Sequence, residues 1–298
     1  MLTTIEALSA GEETYQLAEG PRWDAARGRL VWVDIYAGEV LRGTVDGPGL
    51  VTVEHRDHVD GMVGAALPTT DGGLVLAAQE HVAVLGADRR LALGPRVVPA
   101  GSGRRCNDAT TDPAGRLLVG TLTMDGGSDH EALVRLEPDG SLTTLDDDLG
   151  QANGIAFSTD GTRMYSVDTT RHVVHARDYD AATGRTGPRA VHLDLGDALP
   201  DGITVDAADH LWVAVFGAGE VRRFSPTGVL DTVVRVPAPH TTSAALAGGD
   251  LRTLVVTTGS AELDDAGRAA HPLSGRLFSA RVDVPGVPVV PWRAVPFG

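Results

Sequence analysis

The segment Glu19-Gly20-Pro21-Arg22-Trp23-Asp24, followed after a short turn by Arg29-Leu30-Val31-Trp32-Val33-Asp34, decides how this chain folds, because its pattern returns five more times. Asp24 is an anchor, and its counterparts are Pro68, Asp112, Ser158, Asp206 and Ala247, spaced roughly 40 to 50 residues apart. After each anchor comes a turn and then an apolar run: Gly73-Leu74-Val75-Leu76, Arg116-Leu117-Leu118-Val119-Gly120, Arg163-Met164-Tyr165-Ser166-Val167-Asp168, His210-Leu211-Trp212-Val213 and Arg252-Thr253-Leu254-Val255-Val256. Short apolar runs bounded by turn residues read as strands. A period of this length, built from short strands and Gly-containing turns, marks the blades of a propeller, each a small sheet unable to bury both faces alone. Six periods predict an all-β, six-bladed β-propeller.

Further strand signals follow the apolar runs at Gly38–Arg42, Ala132–Leu136, Gly219–Phe224 and Gly275–Phe278. Asp46-Gly47, Asp139-Gly140 and Thr227-Gly228 read as hairpin turns, in which Gly tolerates positive φ. No long stretch has a 3.6-residue period, so almost no helix is expected. The 298 residues, with 37 Gly and 17 Pro, contain no linker or charge run, which predicts a single propeller domain over 1–298. Pairing of the strands after Gly275 with those before Glu19 is the expected closure of the ring, removing open sheet edges.

A net charge of −15 argues against nucleic-acid or anionic-membrane partners, which need Lys and Arg clusters. Met1–Glu6 has no basic start leading into an apolar run, and no stretch approaches membrane-spanning length. The lone Cys106 forms no internal disulfide. A cytoplasmic protein is the expectation. There is no Gly-x-Ser-x-Gly elbow, no phosphate-binding loop ending in Lys-Ser or Lys-Thr, and no His-Glu-x-x-His helix. Trp23, Trp32 and Trp212 recur at blade positions and read as core, whereas His240 stands just before the sixth slot and is a candidate to face a pocket.

Five residues before each anchor lies a slot, occupied in turn by Glu19, Val63, Asn107, Asn153, Asp201 and Thr242, with Thr241 and Ser243 competing for the last place. Innermost propeller strands surround one axis, so equivalent slots converge although they are far apart in sequence. Glu19, Asn107, Asn153 and Asp201 bring carboxylate and carboxamide oxygens without His or Cys. That donor set suits one hard divalent cation, Ca²⁺, Mg²⁺ or Mn²⁺, with Zn²⁺ also compatible. The structural alternatives are that Asn153-Gly154 and Asp201-Gly202 are turn dipeptides, that Glu19 makes a salt bridge, and that Arg105 pairs at the surface with Asp108 or Asp112. Gly20, Gly64, Gly154 and Gly202 follow four of the slots, as expected where backbones crowd.

Four stretches in this order resemble the senescence-marker-protein, gluconolactonase and luciferin-regenerating-enzyme family: Glu19–Asp24, Arg105-Cys106-Asn107-Asp108 with Asp112–Arg116, Asn153–Ser158, and Pro200-Asp201-Gly202-Ile203 with Asp206. The resemblance runs from about Glu13 to the end. It implies one divalent metal held by Glu19, Asn153 and Asp201, and hydrolysis of a lactone. It also implies that Arg105 and Asn107 contact substrate hydroxyls, with Asp125 as a further sugar-binding carboxylate in a more loosely matching stretch. Cys106 replaces an aromatic residue common at that position, which bears on pocket shape. On this reading the substrate is a small-molecule sugar lactone, and Asp201 is the candidate general base, with the cation's own activation of water as the competing route. Two other functions compete: a non-enzymatic propeller that binds Ca²⁺ or another ligand, and an esterase acting on a non-sugar ester. The residues say nothing of oligomeric state.

Overall fold

The computed structural model describes residues 2–47 and 49–294. Six sheets follow one another around an axis, each running outward from an innermost strand. The innermost strands are Ala18–Asp24, Val63–Pro68, Arg104–Thr111, Ala152–Phe157, Leu199–Val205 and Thr241–Ala247. Each touches the next, and the sixth returns to the first, so the ring is closed. The fold is a six-bladed β-propeller.

The anchors owe their regularity to the turns they organise. Asp112 Oδ1 accepts from the backbone N–H of Ala114 and Arg116, and Asp206 Oδ1 accepts from those of Ala208 and His210, so each carboxylate closes the hairpin that follows it. The apolar runs become the second strand of each blade, with Arg29–Asp34 and Arg163–Asp168 matching the sequence reading residue for residue.

These runs are apolar on both faces because both faces are covered. Along Leu74–Ala78, Leu74 and Leu76 pack toward the first blade with Val31 and Val33, whereas Val75 and Ala77 pack toward the third with Leu117 and Val119. The same alternation yields six apolar clusters, one between each pair of neighbouring blades. Trp23, Trp32 and Trp212 all lie in these walls, as expected. Each fully buried Leu or Val contributes about 1.5–3 kcal/mol to holding adjacent blades together.

Ring closure matches the expectation. Leu8–Ser9 pairs antiparallel with Phe278–Arg281 and completes the sixth sheet with chain from the N-terminal end. Thr3–Glu6 lies parallel to Leu230–Arg235 on the fifth. The last strand begins at Phe278 rather than Gly275, which adopts φ +85° and donates its N–H to Thr258 Oγ1. Helix is confined among the described residues to Asp265–Ala270, in the connection between the sixth blade's second and third strands. No described helix is long and apolar enough to cross a membrane.

Candidate active site

Every innermost strand slips register once against its neighbour, at the slot or directly after it. The shifts fall between Glu19 and Arg22, Val63 and Ala65, Cys106 and Ala109, Ala152 and Ile155, Pro200 and Ile203, and Thr241 and Ser243. A bulge of this kind leaves residues unpaired and re-aims their side chains. Asn153-Gly154 and Asp201-Gly202 are therefore bulges within strands, not turns. The slip leaves Thr242 unpaired in the sixth blade, which selects it over Thr241 and Ser243 as the slot residue.

Three of the slot side chains also tie one blade to the next. Asn107 Nδ2 donates to the carbonyl of Ala152 (2.9 Å), just before Asn153. Asn153 Nδ2 donates to Thr169 Oγ1 (3.2 Å), whose own proton goes to the carbonyl of Pro200 (2.8 Å), just before Asp201. Thr242 Oγ1 donates to the carbonyl of Ala18 (2.7 Å), just before Glu19. Two buried carboxylates fix the chain two and three residues upstream of a slot. Asp34 receives the N–H groups of Gln16 and Leu17 ahead of Glu19, and Asp168 receives those of Gly150 and Gln151 ahead of Asn153.

Close approach accounts for three of the four glycines after slots. A Cβ would stand 2.1 Å from the Asn107 carbonyl oxygen at Gly64, 2.6 Å from that of Asp201 at Gly154, and 2.0 Å from Ser243 Oγ at Gly202. Gly20 has room for a Cβ but needs its φ of +53°.

Glu19, Arg105, Asn107, Asn153 and Asp201 line one cavity of about 530 Å³ at the end of the axis where the slots point. Asp125 is exposed in the turn between Met124 and Gly126 and does not line the cavity, although both neighbours do. Arg105 is buried rather than at the surface. Its Nη1 donates to Asn107 Oδ1 (2.8 Å) and to the Cys106 carbonyl (3.0 Å), while Asp108 pairs with Arg22 and Asp112 with Arg116. Cys106 faces the wall between the second and third blades, and burial pushes its thiol up to about 12. His240 does not line the cavity; it stacks behind Phe216, which does, with ring centroids 4.3 Å apart.

The electrostatics of the cavity floor are dominated by buried negative charge. Glu19 forms no ion pair among the described residues and accepts only the N–H of Gly20. Burial first, and then the charge of Asp108, push its carboxyl up to about 8. Burial and then Glu19 and Asp108 hold the Asp201 carboxyl well above the usual carboxylate range, against a hydrogen bond from Asn153. Asp108 is raised by burial too, and its Oδ2 has no hydrogen-bond partner. Three carboxylates that repel one another in a desolvated site call for positive charge. No described group of three or more His, Cys, Asp or Glu side chains is arranged to hold a metal ion. Glu19 and Asp201 together with the Asn153 carboxamide nevertheless supply the donor types and charge that a hard divalent cation takes.

Asp108, Tyr36, Thr169, Phe216 and Glu262 are site residues that the repeat reading did not single out. Asp108 had a usable signal, because it stands beside a slot inside a bulge. Tyr36 and Glu262 lie in connections outside the repeat phase, and nothing in the periodicity marks them.

The family model for the SMP-30/Gluconolactonase/LRE-like region matches residues 17–260. A pentonolactonase of Haloferax volcanii is 33% identical, the match covering 92% of this chain and 93% of the relative. A regucalcin of Danio rerio is 30% identical over 96% of this chain and 98% of its own. The solved structure of a calcium-binding protein, regucalcin, from Agrobacterium tumefaciens superposes with a TM-score of 0.90 at 28% identity, covering 99% of this chain and all of that one. With the propeller and these likenesses in agreement, the chain belongs to the SMP-30, gluconolactonase and LRE-like family.

Proposed function

We propose that this protein is a lactonase that opens the ring of a sugar lactone to the sugar acid, using one divalent cation held by Glu19, Asn153 and Asp201. The observation that carries this reading is the convergence of those three side chains with Arg105 and Asn107 on one cavity. Relatives designated as lactonases, among them the pentonolactonase, support the reaction class.

A cation bound there supplies Lewis-acid polarisation of the lactone carbonyl. The chain's own residues do the rest. Asp201 accepts a proton from the attacking water through its carboxylate; burial and neighbouring negative charge raise its proton affinity, which offsets the lowering that a held cation would impose. As the acyl–oxygen bond breaks, the ring oxygen takes up that proton and leaves as a hydroxyl. Arg105 and Asn107 are already bonded to each other, so both meet the substrate pre-positioned; the remaining guanidinium donors of Arg105 suit hydroxyl and ring oxygens. Thr169 fixes the Asn153 carboxamide.

A second reading has one observation in its favour. The cavity wall includes Leu17, Ile35, Met62, Leu122, Leu199 and Phe216, an apolar band that suits a less polar lactone or another ester. One experiment separates the readings: strip the protein with chelator, restore Ca²⁺, Mn²⁺, Mg²⁺ or Zn²⁺ singly, and follow acid release from aldonolactones and acyl lactones. Ion-dependent opening of aldonolactones is expected. Opening of acyl lactones alone supports the second reading, and ion binding without any turnover returns the protein to a binding role.

A further inference from the structure

The mouth of the cavity carries a carboxylate that the proposed chemistry does not use. Glu262 comes from the connection between the sixth blade's second and third strands, yet it lines the same cavity as Glu19 and Asp201. Its position is fixed from both sides. At the base of the loop, Ser260 and Ala261 donate their N–H groups to the Gln16 carbonyl (2.9 and 3.0 Å), and Ser260 Oγ donates to the Tyr15 carbonyl (2.8 Å). Across the opening, Tyr36 of the first blade donates its hydroxyl to Glu262 Oε1 (3.1 Å). Oε2 makes no hydrogen bond with another described residue, so it is free to accept one from a ligand.

We propose that Glu262, oriented by Tyr36, is a specificity-determining residue that selects neutral polyhydroxylated lactones over lactones bearing an anionic substituent. This rests on the lactonase reading of the same site. The charges around the cavity set the preference. Glu19, Asp108, Asp201 and Glu262 face Arg22 and Arg105, which leaves two negative charges for a divalent cation to balance. A neutral ligand keeps that balance. A sulfonate, phosphate or carboxylate on the far side of the ring meets the solvent-exposed Glu262 carboxylate at the mouth, where like charges repel through a screening layer of water. A hydroxyl at the same place instead donates to Oε2, a charge-assisted hydrogen bond. Glu262 lines the same cavity as Asp201 and its charge acts on the Asp201 carboxyl, so the far substituents of a ring seated on the floor come within range of this rim.

The test measures binding as well as turnover. Calorimetry on the Ca²⁺-loaded protein compares a neutral sugar lactam, which resists hydrolysis, with its uronic-acid counterpart, in the wild type, Glu262→Gln and Tyr36→Phe. Gln keeps an acceptor for Tyr36 and leaves the loop in place. The neutral lactam is expected to bind the wild type about fivefold tighter than the acid, and Glu262→Gln to remove most of that preference, as loss of one exposed hydrogen bond and one screened repulsion implies. Tyr36→Phe is expected to cut it by a smaller factor. An unchanged ratio in Glu262→Gln, or no preference in the wild type, overturns the proposal even if lactones are opened rapidly. The expected ratios with no turnover of any lactone sustain the selectivity of the mouth and overturn the lactonase reading instead.

Discussion

The two ends of the central axis are built from the same six strands and differ in almost everything else. At one end, the bulged slots send Glu19, Asn107, Asn153 and Asp201 into a cavity of about 530 Å³. At the other, the residues that follow the bulges, among them Trp23, Thr110, Ile155 and Ile203, surround a space of about 160 Å³ that Val287–Val290 help to enclose. The segment after the last strand spans that end. Ala207 donates to the Pro285 carbonyl (2.9 Å), Gly286 to that of Leu251 (2.7 Å), Thr111 Oγ1 to that of Val290, and Trp292 to that of Pro68 (2.8 Å). Between the ends lies one ion pair: Arg22, which lines the smaller space, is held by Asp108, whose charge acts on the larger cavity. A single slip in register thus separates a chemical end from a structural one. On one side of the bulge, side chains are aimed at a ligand; on the other, they are aimed at a covering strap.

The largest effect that sharpens this contrast is on turnover. Asp201→Ala is expected to abolish nearly all lactone opening, a loss of about 10²- to 10⁴-fold or more, read as kcat at saturating substrate and ion. Near-normal kcat in that variant refutes its role as base. The matching substitution at the other end, Trp292→Ala, removes a fully buried side chain from the wall between the second and third blades. It is expected to cost about 3–5 kcal/mol in urea denaturation while leaving kcat of the folded protein unchanged. A fall in kcat there without a fall in stability would break the division of labour.

A smaller, signed effect concerns pH. The Glu19 carboxyl is raised from the ordinary 4.5 to about 8, so in ion-stripped protein its neutral form is favoured by folding. The stabilisation is fully present below the unfolded value and is lost as pH rises through the folded one. The melting temperature of stripped protein should therefore fall between pH 4.5 and about 8, Glu19→Gln should flatten part of that slope, and added Ca²⁺ should raise the high-pH end most, because binding requires ionised carboxylates. A slope unaffected by Glu19→Gln contradicts this assignment. The smallest effect belongs to Thr111→Val, which removes one hydrogen bond to the strap and should cost about 1 kcal/mol with KM unchanged.

The architecture was legible because it is written in a repeat. Leu74, Val75, Leu76 and Ala77 are all apolar since each face of a second strand meets another blade, and the anchors recur because Asp112 and Asp206 do the same backbone work. The slots were legible for the same reason, down to the convergence of Glu19, Asn107, Asn153 and Asp201. What lay outside the phase was not. Whether Asn153-Gly154 and Asp201-Gly202 are turns or bulges depends on pairing partners that dipeptides do not reveal. Arg105 was open to a surface pairing with Asp108, yet Asp108 turns to Arg22, more than 80 residues earlier in sequence, because the bulge points it across the axis. Glu262 reaches the cavity from a connection of the sixth blade, and only the closed ring brings it to Tyr36 of the first. Asp125, placed at the site by resemblance, lies on an exposed turn whose neighbours face the cavity instead.

The central claim is that the bulged end of the axis is a cation site made by three slots. Crystals of the protein soaked in Mn²⁺ and measured for anomalous scattering test it directly. The account predicts one strong peak within about 2.0–2.6 Å of oxygens from Glu19, Asn153 and Asp201, lost in Glu19→Gln. No peak at the cavity floor, or one coordinated without these three side chains, contradicts it.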